Sequence, residues 1–154
     1  MKRILLICSG NTCRSPMAEA ILKKELKKRF GGEYSLEVTS AGIGARPGDP
    51  ASPHAVTAMA EKGIDISGHK ASLATREMVT AADLILTMTV SHKRAILSLA
   101  PEARGKVFTL GEFAGKGEQH EISDPFAGSL DDYRKAAAEI EELLQVAIDK
   151  LLKG

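Results

Sequence analysis

The sequence predicts an α/β protein built on a parallel sheet. Apolar runs alternate with longer segments of helical periodicity, the pattern of strand and helix in turn. The first such run, in "KRILLICSG", reads as a strand buried on both faces. Glycine and proline punctuate the segments at the intervals such units need. At 154 residues the chain suits one domain, 1–154, with one core.

The elements follow in order. The first strand covers Arg3 to Ile7 and ends in a glycine-containing turn. Ser15-Pro16 reads as a helix start, with a hydroxyl at the cap and proline at the first helical position. That helix is expected to run to about Arg29, with Met17, Ala20, Ile21 and Leu22 largely on one side, until "GGE" breaks it. "YSLEVTSAG" alternates apolar and polar residues as a second strand ending at Gly42. "GIGARPGDPASP" is loop by composition, and "PHAVTAMAEKG" a helix ending at Gly63. "ADLILTMT" is a third strand, "SHKRAILSLAP" a helix stopped by Pro101, and "KVFTL" a short fourth strand. The stretch "GEFAGKGEQHEISDPFAGS" is expected to be mostly loop, with a helical turn near Glu112. Ser129 caps a last helix whose first turn holds Asp131 and Asp132. Its apolar positions Tyr133, Ala137, Ile140, Leu144, Ala147 and Leu151 recur at helical spacing.

Composition excludes several classes. The chain is 44% hydrophobic and 27% charged, ordinary for a globular domain. Its 21 basic and 20 acidic residues give a net charge of +1, with no general pull toward nucleic acid or an anionic membrane. The basic tract "KKELKKR" (23–29) reads as a solvated helix face. No apolar run approaches the ~18 residues that span a bilayer. A short apolar N-terminal run without signal-peptide layout, and only two cysteines, are read as a reducing cytoplasm.

Ligands of open α/β sheets bind beyond the carboxyl ends of the strands. Three polar segments are expected there: Cys8–Arg14, Ser40–Pro50 and the region of Asp124. The first is the most specific. Cys8, then Ser9, Gly10, Asn11, Thr12 and Cys13, then Arg14 and Ser15, form C-x5-R-S between a strand and a helix start. A tight loop in that place turns backbone N–H groups inward as an anion cradle, and the helix dipole adds to it. Gly10 and Asn11 tolerate left-handed backbone. Arg14 supplies a planar fork for two phosphate oxygens. Cys8 at the cradle floor would be favoured as thiolate, with the Ser15 hydroxyl donating to its sulfur. The arrangement is that of a nucleophile facing a bound phosphate.

Other chemistries fit less well. C-x4-C is half of a zinc site, but no second cysteine pair exists and His54, His69, His92 and His120 lack ligand spacing. There is no G-x4-G-K-[ST] loop, and "GIGARP" is not G-x-G-x-x-G. Transfer from a poor leaving group needs a proton donor. Asp124, in "SDPFAG" with Pro125 stiffening the backbone, is the candidate. His54, His92 and His120 are taken as surface residues without a role.

"CSGNTCRSPMAEA", "TSAG", "GIDISGHKA", "ADLILTM" and "SDPFAG", in this order, resemble the low-molecular-weight phosphotyrosine phosphatase family over essentially the whole chain. The resemblance implies a Rossmann-like three-layer sandwich, with a four-stranded parallel sheet in the order 2-1-3-4 flanked by helices. It implies a mechanism without metal or cofactor, with Cys8 as nucleophile, Arg14 as phosphate binder and Asp124 as general acid. The loop Ser9 to Ser15 would bind phosphate, and Asn11, Ser40 and His69 would hold that loop in shape. Phosphorylated proteins are the expected substrates of a monomer that engages neither nucleic acid nor membrane.

Two departures bear on the substrate. The family's tyrosine phosphatases usually carry a branched apolar residue where this chain has Thr12. They also wall the pocket with aromatics, for which this chain offers none near Arg46 and only Phe126 after Asp124-Pro125. Phosphotyrosine needs an aromatic slot for its ring. "GNTCRSPMAEA", "LILTMT" and "DPFAGS" are most similar to the bacterial protein-arginine phosphatase subgroup, where the threonine is the specificity residue and the acid pairs with the guanidinium. Thr12 and Phe126 are therefore the expected specificity positions. A tyrosine phosphatase, an arsenate reductase and a non-catalytic phosphoprotein-binding module are the alternatives. Cys13 carries two open readings: a small buried loop residue, or a redox partner protecting Cys8.

Overall fold

The computed structural model describes residues 2–32 and 34–153. Its elements are β1 (Arg3–Cys8), α1 (Arg14–Phe30), β2 (Glu37–Gly42), α2 (Pro53–Ala60), α3 (Arg76–Ala81), β3 (Leu84–Thr87), α4 (Val90–Leu99), a 3₁₀ turn (Pro101–Lys106), β4 (Val107–Thr109), α5 (Leu110–Phe113) and α6 (Leu130–Lys153). The four strands form one sheet in the order β2-β1-β3-β4, and all three pairings are parallel. This is the expected α/β architecture.

The central strand β1 shows why both faces must be covered. Side chains alternate along a strand. Ile4 and Leu6 enter one apolar cluster with Met17, Ile21 and Leu22 of α1, Met59 of α2, and Ile140 and Leu144 of α6. Leu5 and Ile7 enter the opposite cluster with Val79 of α3, Ile96 of α4 and Val107 of β4. All four side chains of β1 from Ile4 to Ile7 are at most 2% exposed. Burying each contributes roughly 1.5–3 kcal/mol. Parallel pairing of β1 with β3 sets their carboxyl ends at one edge of the sandwich.

Local chemistry explains most boundaries. Gly31 ends α1 at φ 66, a left-handed conformation that glycine adopts without steric cost. Thr89 caps α4 by accepting the His92 amide, and Thr109 with Glu112 forms a full capping box on α5. At α6 the Ser129 hydroxyl accepts from the Asp132 amide at 3.2 Å while the Asp132 carboxylate accepts from the Ser129 amide at 3.0 Å. Gly42 closes β2 against the next loop, where an added Cβ would lie 2.5 Å from the Ser9 carbonyl oxygen.

Several expectations need correction. Helix α1 begins at Arg14 rather than at Pro16, and Cys13 precedes it without a side-chain cap. Ser15 is inside the first turn because its hydroxyl is engaged elsewhere. The second strand begins at Glu37, not Tyr34, since Arg3 pairs with Glu37 at the edge of β1. The second helix ends at Ala60, and Gly63 sits at φ 77 in the turn beyond. The third strand keeps only Leu84–Thr87, and Leu110 belongs to α5 rather than to the fourth strand. Helix α3 has no counterpart among the expected elements; at six residues it is too short for a periodic signal, although Thr75 caps it through the Met78 amide. The basic tract in α1 does expose its lysines, but Glu25 and Leu26 within it are buried. Among the described residues, no helix is long and apolar enough to cross a membrane.

Candidate active site

Residues Ser9–Cys13 link the carboxyl end of β1 to the first turn of α1. Cys8 is the last residue of β1 and 2% exposed. Its Sγ lies 2.9 Å from Ser15 Oγ. Ser15 Oγ already accepts a hydrogen from Asn11 Nδ2 at 2.8 Å, so its own hydrogen is free to be donated to the sulfur. The Ser15 hydroxyl thus offers the sulfur a hydrogen-bond donor.

Asn11 organises the loop. It is fully buried and has φ 54, a left-handed conformation that asparagine tolerates better than most residues. Its second amide hydrogen goes to Ser40 Oγ at 2.9 Å, and Ser40 in turn donates to Glu19 Oε1 at 2.6 Å. Its amide oxygen accepts from the Ser72 backbone at 2.8 Å. Its backbone carbonyl faces His69 Nε2 at 2.7 Å. Since a carbonyl only accepts, His69 must carry its hydrogen on that nitrogen. Buried polar groups so fully bonded leave the loop one low-energy shape.

Arg14 and Asp124 bring the two remaining candidates together. The Arg14 side chain is 4% exposed, donates Nη1 to the Ile122 carbonyl at 2.9 Å, and sets Nη2 3.5 Å from Asp124 Oδ2. Asp124 is half exposed at 51%, and its Oδ1 accepts from the Phe126 amide at 3.0 Å, a tight turn built on the residue itself. A cavity of about 780 Å³ opens above the loop. Cys8, Ser9, Gly10, Thr12, Cys13, Arg14, Asp124 and Phe126 all line it. Asn11, Ser15, Ser40 and His69 do not; they stand behind the loop. Thr12 is half-buried and Phe126 is 70% exposed at the rim. Where an aromatic wall is missing near Arg46, Ile43 and Gly44 line the cavity, while Arg46 turns to Asp49 with a side chain 87% exposed.

Both cysteines are free thiols. Cys13 Sγ contacts Tyr133 Oη at 3.3 Å and Ser52 Oγ at 3.4 Å, tying the loop to α6 and to the start of α2. Burial, with Cys13 beside it, pushes the Tyr133 phenol above its ordinary value. Among the described residues, no group of three or more His, Cys, Asp and Glu is placed to hold a metal ion.

The structure adds residues beyond those the sequence singles out. Thr89, Ser91, His92 and Glu121 also line the cavity. His92 is 6% exposed, not a surface residue, and its Nε2 lies 2.9 Å from Ser9 Oγ. Burial first, and then the Arg14 charge, hold its pKa down to about 4 against the opposing pull of Asp124 and Glu121. A signal for these residues existed. The polar stretch after the third strand, with Thr89, Ser91 and His92, also lies at a strand carboxyl end, and Glu121 falls three positions before Asp124. His54 is exposed, with its ring edge-on to Tyr133, and His120 is exposed near Glu139.

A cysteine at a strand end, an arginine on the following helix turn and a carboxylate across a shared cavity define a phosphate-directed site of the cysteine-nucleophile class. The family model described as low molecular weight phosphotyrosine protein phosphatase matches residues 3–153, and the chain belongs to that family. It is 45% identical over 150 residues to a protein-arginine-phosphatase of Bacillus subtilis, covering 97% of both chains. It is 44% identical over 149 residues to a probable low molecular weight protein-tyrosine-phosphatase, EpsP, of Ralstonia nicotianae, covering 97% of this chain and 92% of the relative. Among solved structures, a mutant of the YwlE arginine phosphatase with a phosphorylated active site serine superposes with a TM-score of 0.90 at 43% identity, covering 98% of this chain and 96% of that one.

Proposed function

We propose that the chain is a cysteine-dependent protein phosphatase that hydrolyses phosphoarginine in proteins through a phosphocysteine intermediate. The observation that carries the reading is that Thr12 and Asp124 line one cavity with Cys8 and Arg14. In the first step the Cys8 thiolate attacks phosphorus while Arg14 and the loop amides hold the phosphoryl oxygens. The P–N bond breaks, and Asp124 gives its proton to the departing guanidino nitrogen. Free arginine side chain leaves. In the second step the Asp124 carboxylate takes a proton from water, whose oxygen attacks the phosphocysteine. Phosphate departs and the thiolate returns, held by Ser15.

The substrate class follows from what the cavity offers. A guanidinium carries N–H donors in a plane, which a carboxylate and a hydroxyl can accept. A phenyl ring asks for apolar walls, and here the aromatic contribution to the lining is Phe126, 70% exposed. Phosphotyrosine hydrolysis is the second reading, favoured by that same Phe126. The chemistry requires a reduced Cys8, which supports a cytoplasmic setting.

Parallel kinetics on phosphoarginine and phosphotyrosine proteins test the proposal. The expected result is a higher kcat/KM on phosphoarginine. Cys8→Ser should lose on the order of 10⁴-fold or more in turnover while still binding inorganic phosphate. Turnover that survives in Cys8→Ser removes the nucleophile. A higher kcat/KM on phosphotyrosine moves the protein to the second reading. Phosphoprotein binding without phosphate release makes it a binding module.

A further inference from the structure

His92 lines the cavity, and the proposed reaction gives it no role. Its ring Nδ1 is buried and has no hydrogen-bond partner among the described residues. Its Nε2 meets Ser9 Oγ at 2.9 Å. A neutral imidazole carries one hydrogen, on either nitrogen. On Nδ1 it would be a buried N–H without an acceptor, the rarer and costlier kind of orphan. On Nε2 it is used, and Nδ1 keeps only an unshared lone pair. The ring stays neutral because burial and Arg14 oppose a further charge, while Asp124 and Glu121 only partly offset them. Nε2–H therefore donates to Ser9 Oγ. The Ser9 hydroxyl hydrogen is then released from the ring and available to another acceptor. Ser9 is exposed and lines the cavity above Cys8. The start of α4 fixes the ring's origin, since the His92 amide donates to Thr89 Oγ1 at 3.2 Å.

We propose that His92 is a positioning residue that orients the Ser9 hydroxyl as a hydrogen-bond donor to the phosphoryl group bound over Cys8. The reverse arrangement, with Ser9 donating to the ring, would turn oxygen lone pairs toward an anion. This inference rests on the phosphatase reading of the site and adds a donor that the loop sequence alone leaves undirected.

Three measurements test it. Imidazole ¹H–¹⁵N spectra of the intact chain should show His92 neutral with its hydrogen on Nε2. Ser9→Ala and His92→Leu should each lower kcat/KM about tenfold, the loss expected for one hydrogen bond to a charged group. The double variant should lose no more than either single one, because both remove the same donor. His92→Gln, whose side-chain amide N–H reaches toward the same oxygen, should recover most of the activity. Inorganic phosphate should bind more weakly to Ser9→Ala by calorimetry. A hydrogen on Nδ1, an unchanged Ser9→Ala, or additive losses in the double variant would overturn the assignment. A wild-type chain that releases no phosphate from any substrate would instead overturn the phosphatase reading. The tautomer and the phosphate affinity then still decide the role of His92.

Discussion

Asn11, behind the loop that floors the cavity, and Asp124, on the cavity wall, are held in opposite ways. Asn11 has no exposed surface, and both amide hydrogens, its amide oxygen and its carbonyl are bonded. Its partners come from α1, β2 and the segment around His69 and Ser72. Asp124 leaves half its side chain in solvent, bonded to an amide two residues on and paired with Arg14. The side proposed to hold the phosphate is built into the buried polar network. The side proposed to meet the leaving group is built on a loop with local support. Rigidity and adaptability are thus divided between the two halves of the site.

Breaking the exposed side should show first in chemistry. Asp124→Asn removes the proposed proton donor and keeps the shape, so kcat should fall about 10²–10⁴-fold with folding unaltered. Steady-state kinetics alongside a thermal melt separate the two; a matching loss of stability would mean that the division is wrong. Breaking the buried side should show in stability as well. Asn11→Ala leaves the Ser72 amide without its acceptor and the Ser15 and Ser40 hydroxyls without their amide donors, and it keeps φ 54 without the side chain that tolerated it. Denaturant unfolding should report a loss of about 2–4 kcal/mol, together with weaker phosphate binding.

The pH response sharpens the comparison at the junction of the halves. His92 titrates at about 4 in the folded chain, below its ordinary 6.5. Between those values the unfolded chain binds a proton that the folded chain refuses. Stability should therefore fall as pH drops from about 6.5 toward 4, by up to about 3 kcal/mol. His92→Gln should flatten that slope in unfolding curves taken across the same range; an identical slope would show that the ring is not the source. Thr12→Ile should give the smallest change, about tenfold in the ratio of kcat/KM on phosphoarginine to that on phosphotyrosine. A ratio left where it was would detach Thr12 from substrate choice.

Much of this was legible before the fold was known, but unevenly. Cys8, Arg14 and Ser15 lie within eight positions, so one loop holds them and spacing alone exposes the anion cradle. Asp124 stood out through its Asp-Pro turn. Ser40 and His69 are reachable through the family resemblance and not through any local pattern. His92 was passed over because a lone histidine on a helix is ordinarily a surface residue, and its partner Ser9 is 83 positions away. Helix α3 is not legible because six residues make fewer than two turns.

The chain by itself determined its strands, its main helices and the Cys8–Arg14 loop, because alternation, periodicity and Gly, Pro and Ser stops act between near neighbours. Only the tertiary structure decided which distant groups close around that loop. Ser40, His69 and Ser72 converge on Asn11, Glu19 backs Ser40, and His92 and Glu121 complete the cavity, because parallel pairing sets the carboxyl ends of the strands and the segments that follow them at one edge of the sheet. The Ser15 hydroxyl marks the boundary between the two. Its residue type promised a helix cap, and the fold used it instead to hold the sulfur of Cys8.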